Sequence, residues 1–449
     1  MEMEVEKKYI SAEELKKHKK PGDLWISIQG KVYNVSDWAK DHPGGDTILY
    51  NLGGQDVTDA FIAYHPGTAW QYLKKFSTGI YLKDFEVSEV SKDYRRMATE
   101  FSKAGLFEKK GHGALCSIVI IAIMLNLVVY GVLKSDSVLV HLICGMLLGM
   151  LWIEGAYIGH DSGHYQVMSS RFYNNIAQIV AGNCFTGISI AWWKWTHNAH
   201  HIACNSLDYD PDLQHIPVFA VSAKFFNSIT SIFYGRVLTF DPLARLLVSY
   251  QHFTYYPVMM VGRVNLFIQT FLLLFSRRNV PNRGLNIIGI LVFWTWFPLL
   301  VSCLPNWSER VMFVLAAFAV TSLQHIQFTL NHFSGDTYLG APNANDWFEK
   351  QAAGTIDISC STWMDWFFGG LQFQLEHHLF PRMPRGQLRK IAPTVKELCK
   401  KHNFPYRSLS FWEANMSTIR TLRNAALQAR DVSNQVPKNL VWEALNTHG

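Results

Sequence analysis

Charge is scarce in this sequence, and unevenly so. Asp, Glu, Lys and Arg make up 17% of 449 residues, against about 25% in ordinary soluble domains. Residues 1–113 carry their share of Lys, Glu and Asp, so the deficit falls after Gly113, where the long apolar runs lie. Dense basic runs are also missing. With a formal net charge of +6, nothing points to nucleic acid as a partner. Cysteine is sparse: seven residues, an odd number with no CxxC spacing, several of them inside apolar runs. That pattern excludes a disulfide framework and fits buried thiols in a reducing or lipid setting. The opening MEMEVEKKYI has no apolar core, so no cleavable signal peptide is expected. No internal repeat or low-complexity segment is evident.

Hydrophobic residues, in contrast, reach 49% and aromatics 14%. Four runs are long and apolar enough to span a bilayer, which needs roughly 20 helical residues: 114–133, 138–159, 286–304 and 310–330. Lys134-Ser-Asp-Ser137 joins the first two and Pro305-Asn-Trp-Ser-Glu309 the last two, which predicts two hairpins. The segment between them carries Lys194, Lys224, Arg236, Arg245, Arg263, Arg277, Arg278 and Arg283, whereas the short turns hold only Lys134 and Arg310. The positive-inside rule therefore puts both termini and the long segment in the cytosol. Two further apolar stretches, 176–193 and 258–275, contain polar interruptions and are expected to lie along the interface without crossing.

Near the N-terminus, His42-Pro-Gly-Gly45 is followed 23 residues later by His65. Proline fixes the turn after the imidazole, and paired glycines let backbone approach a flat macrocycle. His42 and His65 read as the two axial ligands of a haem b. Such a haem has no open position for O2 and carries electrons. Trp25, Tyr33, Val35, Trp38, Ile48, Leu49, Phe61 and Tyr72 are expected to line the pocket.

Further histidines cluster as His160-x3-His164, His197-x2-His200-His201 and Gln374-x2-His377-His378. Spacings of four place two imidazoles on one helical face. Seven such imidazoles exceed the three or four that one zinc takes, so two metals are expected. His332 is a further expected ligand; His325 and Gln374 are additional candidates. Asp161, Asp208, Asp210 and Asp212 are placed to orient imidazoles. Glu154 lies within a span, where an acid is costly and therefore a functional suspect.

The three boxes, with Gln in place of the first His of the third, together with the fused HPGG module, resemble the front-end desaturases. They are most similar to the plant sphingolipid Δ8 (long-chain base) desaturases, through AYIGHDSGH, WWKWTHNAHH and FQLEHHLFPR. The N-terminal segment resembles cytochrome b5. The resemblance implies a multi-domain chain: an α+β cytochrome b5-like domain at 8–85, a linker and interfacial segment at 86–113, an all-α polytopic desaturase domain at 114–410 with four transmembrane helices in two hairpins, and a cytosolic tail at 411–449. It also implies a double bond at C8 of a sphingoid base, two iron ions, O2 as co-substrate and a multi-pass position in the endoplasmic reticulum membrane. Electrons would come from NADH through cytochrome b5 reductase, docked on Asp41, Asp46, Asp56 and Asp59. Three alternatives stand beside this reading: a front-end Δ5 or Δ6 acyl desaturase, a lipid hydroxylase, and a non-enzymatic haem adaptor with structural zinc.

Overall fold

The computed structural model describes residues 8–109 and 112–431. In the N-terminal module, strands β1 (Lys8–Ile10), β2 (Lys19–Lys20), β3 (Asp23–Ile28), β4 (Lys31–Asn34) and β5 (Ser77–Leu82) form one sheet in the order β1-β5-β4-β3-β2. The β1–β5 pair is parallel and the others antiparallel. Helix α1 (Ala12–Leu15) starts where the Ser11 hydroxyl accepts from the Glu14 amide. Helices α2 (Asp46–Asn51) and α3 (Thr58–Tyr64) stand beside the sheet over a core of Leu24, Ile26, Ile28, Tyr33 and Phe61.

Helix α4 (Glu89–Lys103) follows. The sequence reads its region as linker and interfacial; here its apolar face turns to protein. Tyr94, Met97 and Phe101 are buried against Trp347, Phe380 and Leu388, and the Tyr94 hydroxyl donates to the Leu379 carbonyl at 2.9 Å.

Helices α5 (His112–Lys134) and α6 (Val138–Gly163) form one antiparallel pair across the turn at 135–137. Lipid-length apolar helices recur as α10 (Gln251–Leu274), α11 (Arg283–Ser302) and α12 (Trp307–Leu330). Among the described residues, five helices are long and apolar enough to cross a membrane. The fifth is α10, which covers the stretch the sequence reads as interfacial. Its first turns meet the end of α12, where the Tyr255 hydroxyl bonds Thr329. Its last carbonyl, on Leu274, accepts from Arg283 at the start of α11.

The other ambiguous stretch breaks in two. Helix α7 (Arg171–Gln178) runs into a wide turn over 179–185, and α8 (Ile190–Ile202) leaves at 111° to it. Gly187 makes the bend, with φ +72 and its backbone so close to the Phe293 ring that a Cβ would fall 2.5 Å from it. Ser189 then caps α8 by accepting from the Trp192 amide.

α6 packs on α12 through Gly145 and Gly149, spaced by four. A Cβ at either would sit 2.5 or 2.6 Å from the carbonyl oxygen of Phe313 or Ala317. Such close backbone approach is how membrane helices associate without a hydrophobic driving force.

The remaining elements are β6 (Thr230–Ser231), β7 (Arg236–Val237), α9 (Pro242–Ser249), α13 (Trp347–Gly354), β8 (Asp357–Ser359), α14 (Asp365–Phe368), α15 (Gln374–Leu379), α16 (Arg385–Lys401), β9 (Ser408–Ser410) and α17 (Phe411–Asp431). The sequence reads the region after Ser410 as a tail. Its first 21 residues are α17, which buries Ala414, Leu422 and Ala429 in the same cluster as Phe240 and Tyr255.

Candidate functional site

In the N-terminal module, η-type turn 39–41 and α2 hold the HPGG loop, and α3 ends at His65. The rings of His42 and His65 face each other with centroids 6.0 Å apart. His42 Nδ1 lies 2.9 Å from the Gly45 carbonyl and His65 Nδ1 3.2 Å from the Phe61 carbonyl. A carbonyl only accepts, so each Nδ1 carries the proton and each Nε2 lone pair is left for a ligand. Burial lowers both pKa values, that of His65 to about 3, so both rings are neutral. Gly45 has φ +98, and a Cβ on Gly44 would meet His42 Cε1 at 2.8 Å. The donor set and the bare cradle fit a haem.

Of the residues expected around that pocket, Tyr33, Val35, Ile48, Leu49 and Phe61 share its core, and Trp38 packs edge-on against His42. Trp25 instead stacks on His18 in a separate cluster, and Tyr72 is 63% exposed. The expected acidic docking face also loses members. Asp59 is buried and paired with Arg95 at 2.6 Å, because α4 covers it. Asp56 accepts from Ser27 and Thr58, closing the α3 turn.

The second site lies where α6, α8, α15 and the end of α12 converge. His160, His164, His197 and His377 form one group whose ligand atoms lie within 4.8 Å of one another; His200, His332, His378 and Cys204 form a second. His201 sits between them, its ring 4.8 Å from His377 and 4.2 Å from His378. Facing ring nitrogens come close across long stretches of chain, His160 to His377 at 3.2 Å and His200 to His332 at 3.3 Å, and within α8, His197 to His201 at 2.9 Å. Imidazoles that meet Nε2 to Nε2 can share only one proton between them, while a cation there would engage both nitrogens. Among the described residues, His164 Nε2, His201 Nδ1 and His377 Nδ1 have no hydrogen-bond partner. Burial holds His332, His377 and His378 well below the usual imidazole pKa, in the form that binds metal. This donor set fits two metal ions.

The outer nitrogens are held in turn. His160 Nδ1 is 3.0 Å from Asp161, His200 Nδ1 2.8 Å from Asp210 and His378 Nδ1 2.7 Å from Gln351. Asp212 stands farther from His200, at 3.9 Å. Asp208 bonds Ser206 and the Gly340 amide instead of an imidazole. Gln374 reaches the second group, its Nε2 3.0 Å from His332 and 3.1 Å from His378. His325 does not. It lies two turns before His332 and gives Nδ1 to the Met259 carbonyl at 3.1 Å. Glu154 lines a different cavity, with Ser117 and Arg385.

Three contributors escaped sequence reasoning. Gln351 carries no spacing signal, whereas Cys204 stands four residues after His200, a spacing that could have found it. Trp193 stacks on His197 at 4.4 Å, and only its place one turn earlier on α8 hinted at that.

The haem module touches this site directly. The Tyr64 hydroxyl donates to the His201 carbonyl at 3.2 Å, and Asn198 on α8 donates to Gly44 at 3.2 Å. Arg382 holds the α3 carbonyls of Ala63 and Ile62 at 3.0 and 3.2 Å.

Residues 136–410 match the fatty acid desaturase family, and residues 11–82 match the cytochrome b5-like heme/steroid binding domain. Delta(8)-fatty-acid desaturase 1 of Arabidopsis thaliana is 72% identical over 449 residues, covering 100% of both chains. Delta(8)-fatty-acid desaturase of Borago officinalis is 71% identical over 447 residues, again covering 100% of each. Acyl-lipid (9-3)-desaturase of Borago officinalis is 62% identical over 443 residues, 99% of each.

Proposed function

The chain belongs to the fatty acid desaturase family and carries a fused cytochrome b5-like domain, and on that premise we propose that it introduces a double bond at C8 of the long-chain base of sphingolipids. The observation that carries this reading is the convergence of seven histidines on two metal-sized groups, with His201 between them, beside a bis-histidine haem pocket. The names of the relatives at 70% identity and above support the C8 position.

Two iron ions would supply activation of O2, enough to remove hydrogen from an unactivated methylene. One ion would be held by His160, His164, His197 and His377, the other by His200, His332 and His378, with His201 between them and Gln374 against the second. The chain's own contribution is placement. Asp161, Asp210 and Gln351 fix ring orientation. Trp192, Trp193 and Phe328 wall the cavity beside the imidazoles and exclude water from the methylene that reaches them. The sum of the reaction is one O2, two electrons and two protons consumed, with one C=C and two waters formed. A haem held by His42 and His65 would supply the electrons one at a time, drawn from an NADH-dependent cytochrome b5 reductase, while Tyr64 holds its module against His201.

The domains are 8–85, 86–113, 114–410 and 411–449. Four spans in two hairpins, α5–α6 and α11–α12, fit a parity argument. His200 and His332 meet at 3.3 Å, so an even number of crossings separates them. α11 and α12 supply two, and α10 runs along the boundary without crossing. The bend at Gly187 returns α8 to the side it left. The loop charges favour a cytosolic active site and cytosolic termini, in the endoplasmic reticulum membrane.

A second reading, an acyl desaturase, draws on the 62% identity to the acyl-lipid enzyme. Expression in a host without this unsaturation, with mass spectrometry of sphingoid bases and acyl chains, separates the two. New C8 unsaturation confined to acyl chains would overturn the sphingolipid reading. His160→Ala is expected to abolish product while haem absorbance stays at the wild-type level; retained product would overturn the metal assignment.

A further inference from the structure

The cavity that opens on His160, His197, His200 and His332, of ≈ 270 Å³, is walled mainly by apolar and aromatic side chains. One stretch of wall, between α10 and α12, is different. Arg263, Gln324 and His325 all face the cavity there.

Arg263 is 1% exposed. Its guanidinium lies over the Trp152 ring at 4.1 Å and donates through one terminal nitrogen to the Thr186 carbonyl. Its Nε has no partner, and among the described residues it forms no ion pair. Gln324 is 4% exposed and, among the described residues, makes no side-chain hydrogen bond and leaves its Nε2 bare. His325 gives Nδ1 to the Met259 carbonyl, so the proton is on Nδ1 and the bare Nε2 is an acceptor.

Three unpartnered polar atoms on residues lining one apolar cavity are an arrangement that native interiors avoid. The chemistry of the missing partner follows from the set: two donors and one acceptor. A carboxylate or ester carbonyl only accepts, and would leave His325 Nε2 unsatisfied. A hydroxyl does both. An ammonium would face an unpaired guanidinium. The set therefore fits an uncharged head bearing hydroxyls, such as that of an N-acylated sphingoid base.

The spacing agrees. His325 and His332 are seven residues apart along the end of α12, about 10 Å at 1.5 Å per residue. An extended chain from its first to its eighth carbon, with C–C bonds of about 1.5 Å, covers roughly 9 Å. Resting on the reading of the chain as a sphingolipid desaturase, we propose that Arg263, Gln324 and His325 form a subsite that grips the hydroxylated, uncharged head of the substrate and so decides which carbon reaches the imidazoles.

The test uses the full-length, haem- and iron-loaded protein in lipid nanodiscs, as wild type, Gln324→Leu and Arg263→Lys. Substrates are a ceramide, the same ceramide without its 3-hydroxyl, and an acyl phospholipid. Because the Gln324 side chain bonds nothing among the described residues, an apolar side chain there forfeits no hydrogen bond with them. Its haem absorbance, iron content and melting temperature are expected to match wild type. The ceramide KM is expected to rise about tenfold with kcat little changed. The ceramide-dependent rise in melting temperature should shrink, and a second double-bond position should appear in the product. Turnover of the deoxy analogue should not respond to the substitution. Arg263→Lys is expected to lose the single position as well. An unchanged ceramide KM and an unchanged single position in both variants would overturn the subsite, as would a lowered melting temperature with unaltered ceramide affinity. Wild-type turnover of the phospholipid alone would overturn the functional reading itself.

Discussion

At the scale of single residues, the outer partners of the imidazoles matter as much as the imidazoles. Asp210 is fully buried and spends one oxygen on His200 and another on the Asp212 amide. Asp210→Asn keeps the shape but removes the charge that orients His200. Iron content measured by metal analysis is expected to fall by about 10–100-fold in affinity, with the haem spectrum unchanged. The single-residue signals readable from sequence were those with local spacing: His160 with His164, His197 with His201, His42 with its glycines. Gln351 was unreadable because it meets His378 across 27 residues with no periodic relation. His325 carried a helical spacing to His332 that looked like shared ligation. On an α-helix, seven residues is also two full turns of separation, enough to leave His325 outside both groups.

Elements are where distant residues are brought into register. His160 meets His377 across 217 residues and His200 meets His332 across 132. No spacing in the chain encodes either pairing; His160 on α6 meets His377 on α15, and His200 on α8 meets His332 just past α12, because all four elements converge on one place. The glycines at 145 and 149 set the contact of α6 with α12. Gly149→Val would drive methyl groups into the Ala317 carbonyl and Val320. Overpacking of this kind costs about 1–3 kcal/mol, and the expected result is a lower melting temperature together with lost iron, while the haem module keeps its absorbance. Helix length and hydropathy made α5, α6, α11 and α12 readable. The same signal is present in α10, whose course depends on partners, Thr329 at one end and Arg283 at the other, that sequence alone does not supply. In the haem module, α3 and the HPGG loop bury two imidazoles in neutral form. Their folded pKa values are below the unfolded value of about 6.5, so acid favours the open state. Stability is complete above about pH 6.5 and declines as pH falls toward 3. Haem absorbance followed during acid titration is expected to hold near neutrality and to fall progressively within that window.

On the scale of the whole molecule, the haem module is bound to the helix that carries three of the imidazoles. Tyr64, next to axial His65, bonds and packs on His201, and the HPGG loop bonds Asn198. Tyr64→Leu removes both the hydroxyl and the ring. Reoxidation of reduced haem by O2 in the presence of substrate, read by stopped-flow absorbance, is expected to slow about fivefold or more, the effect of losing roughly 1 kcal/mol of docking. The static haem spectrum should not change. A carrier fastened in this way has no search to perform before each delivery. It holds one electron and every double bond requires two, so the pause between the first and the second is governed by how often the upstream donor calls. Scarcity of that donor would then appear as oxygen consumed without unsaturated lipid to show for it, before it appeared as a slower enzyme.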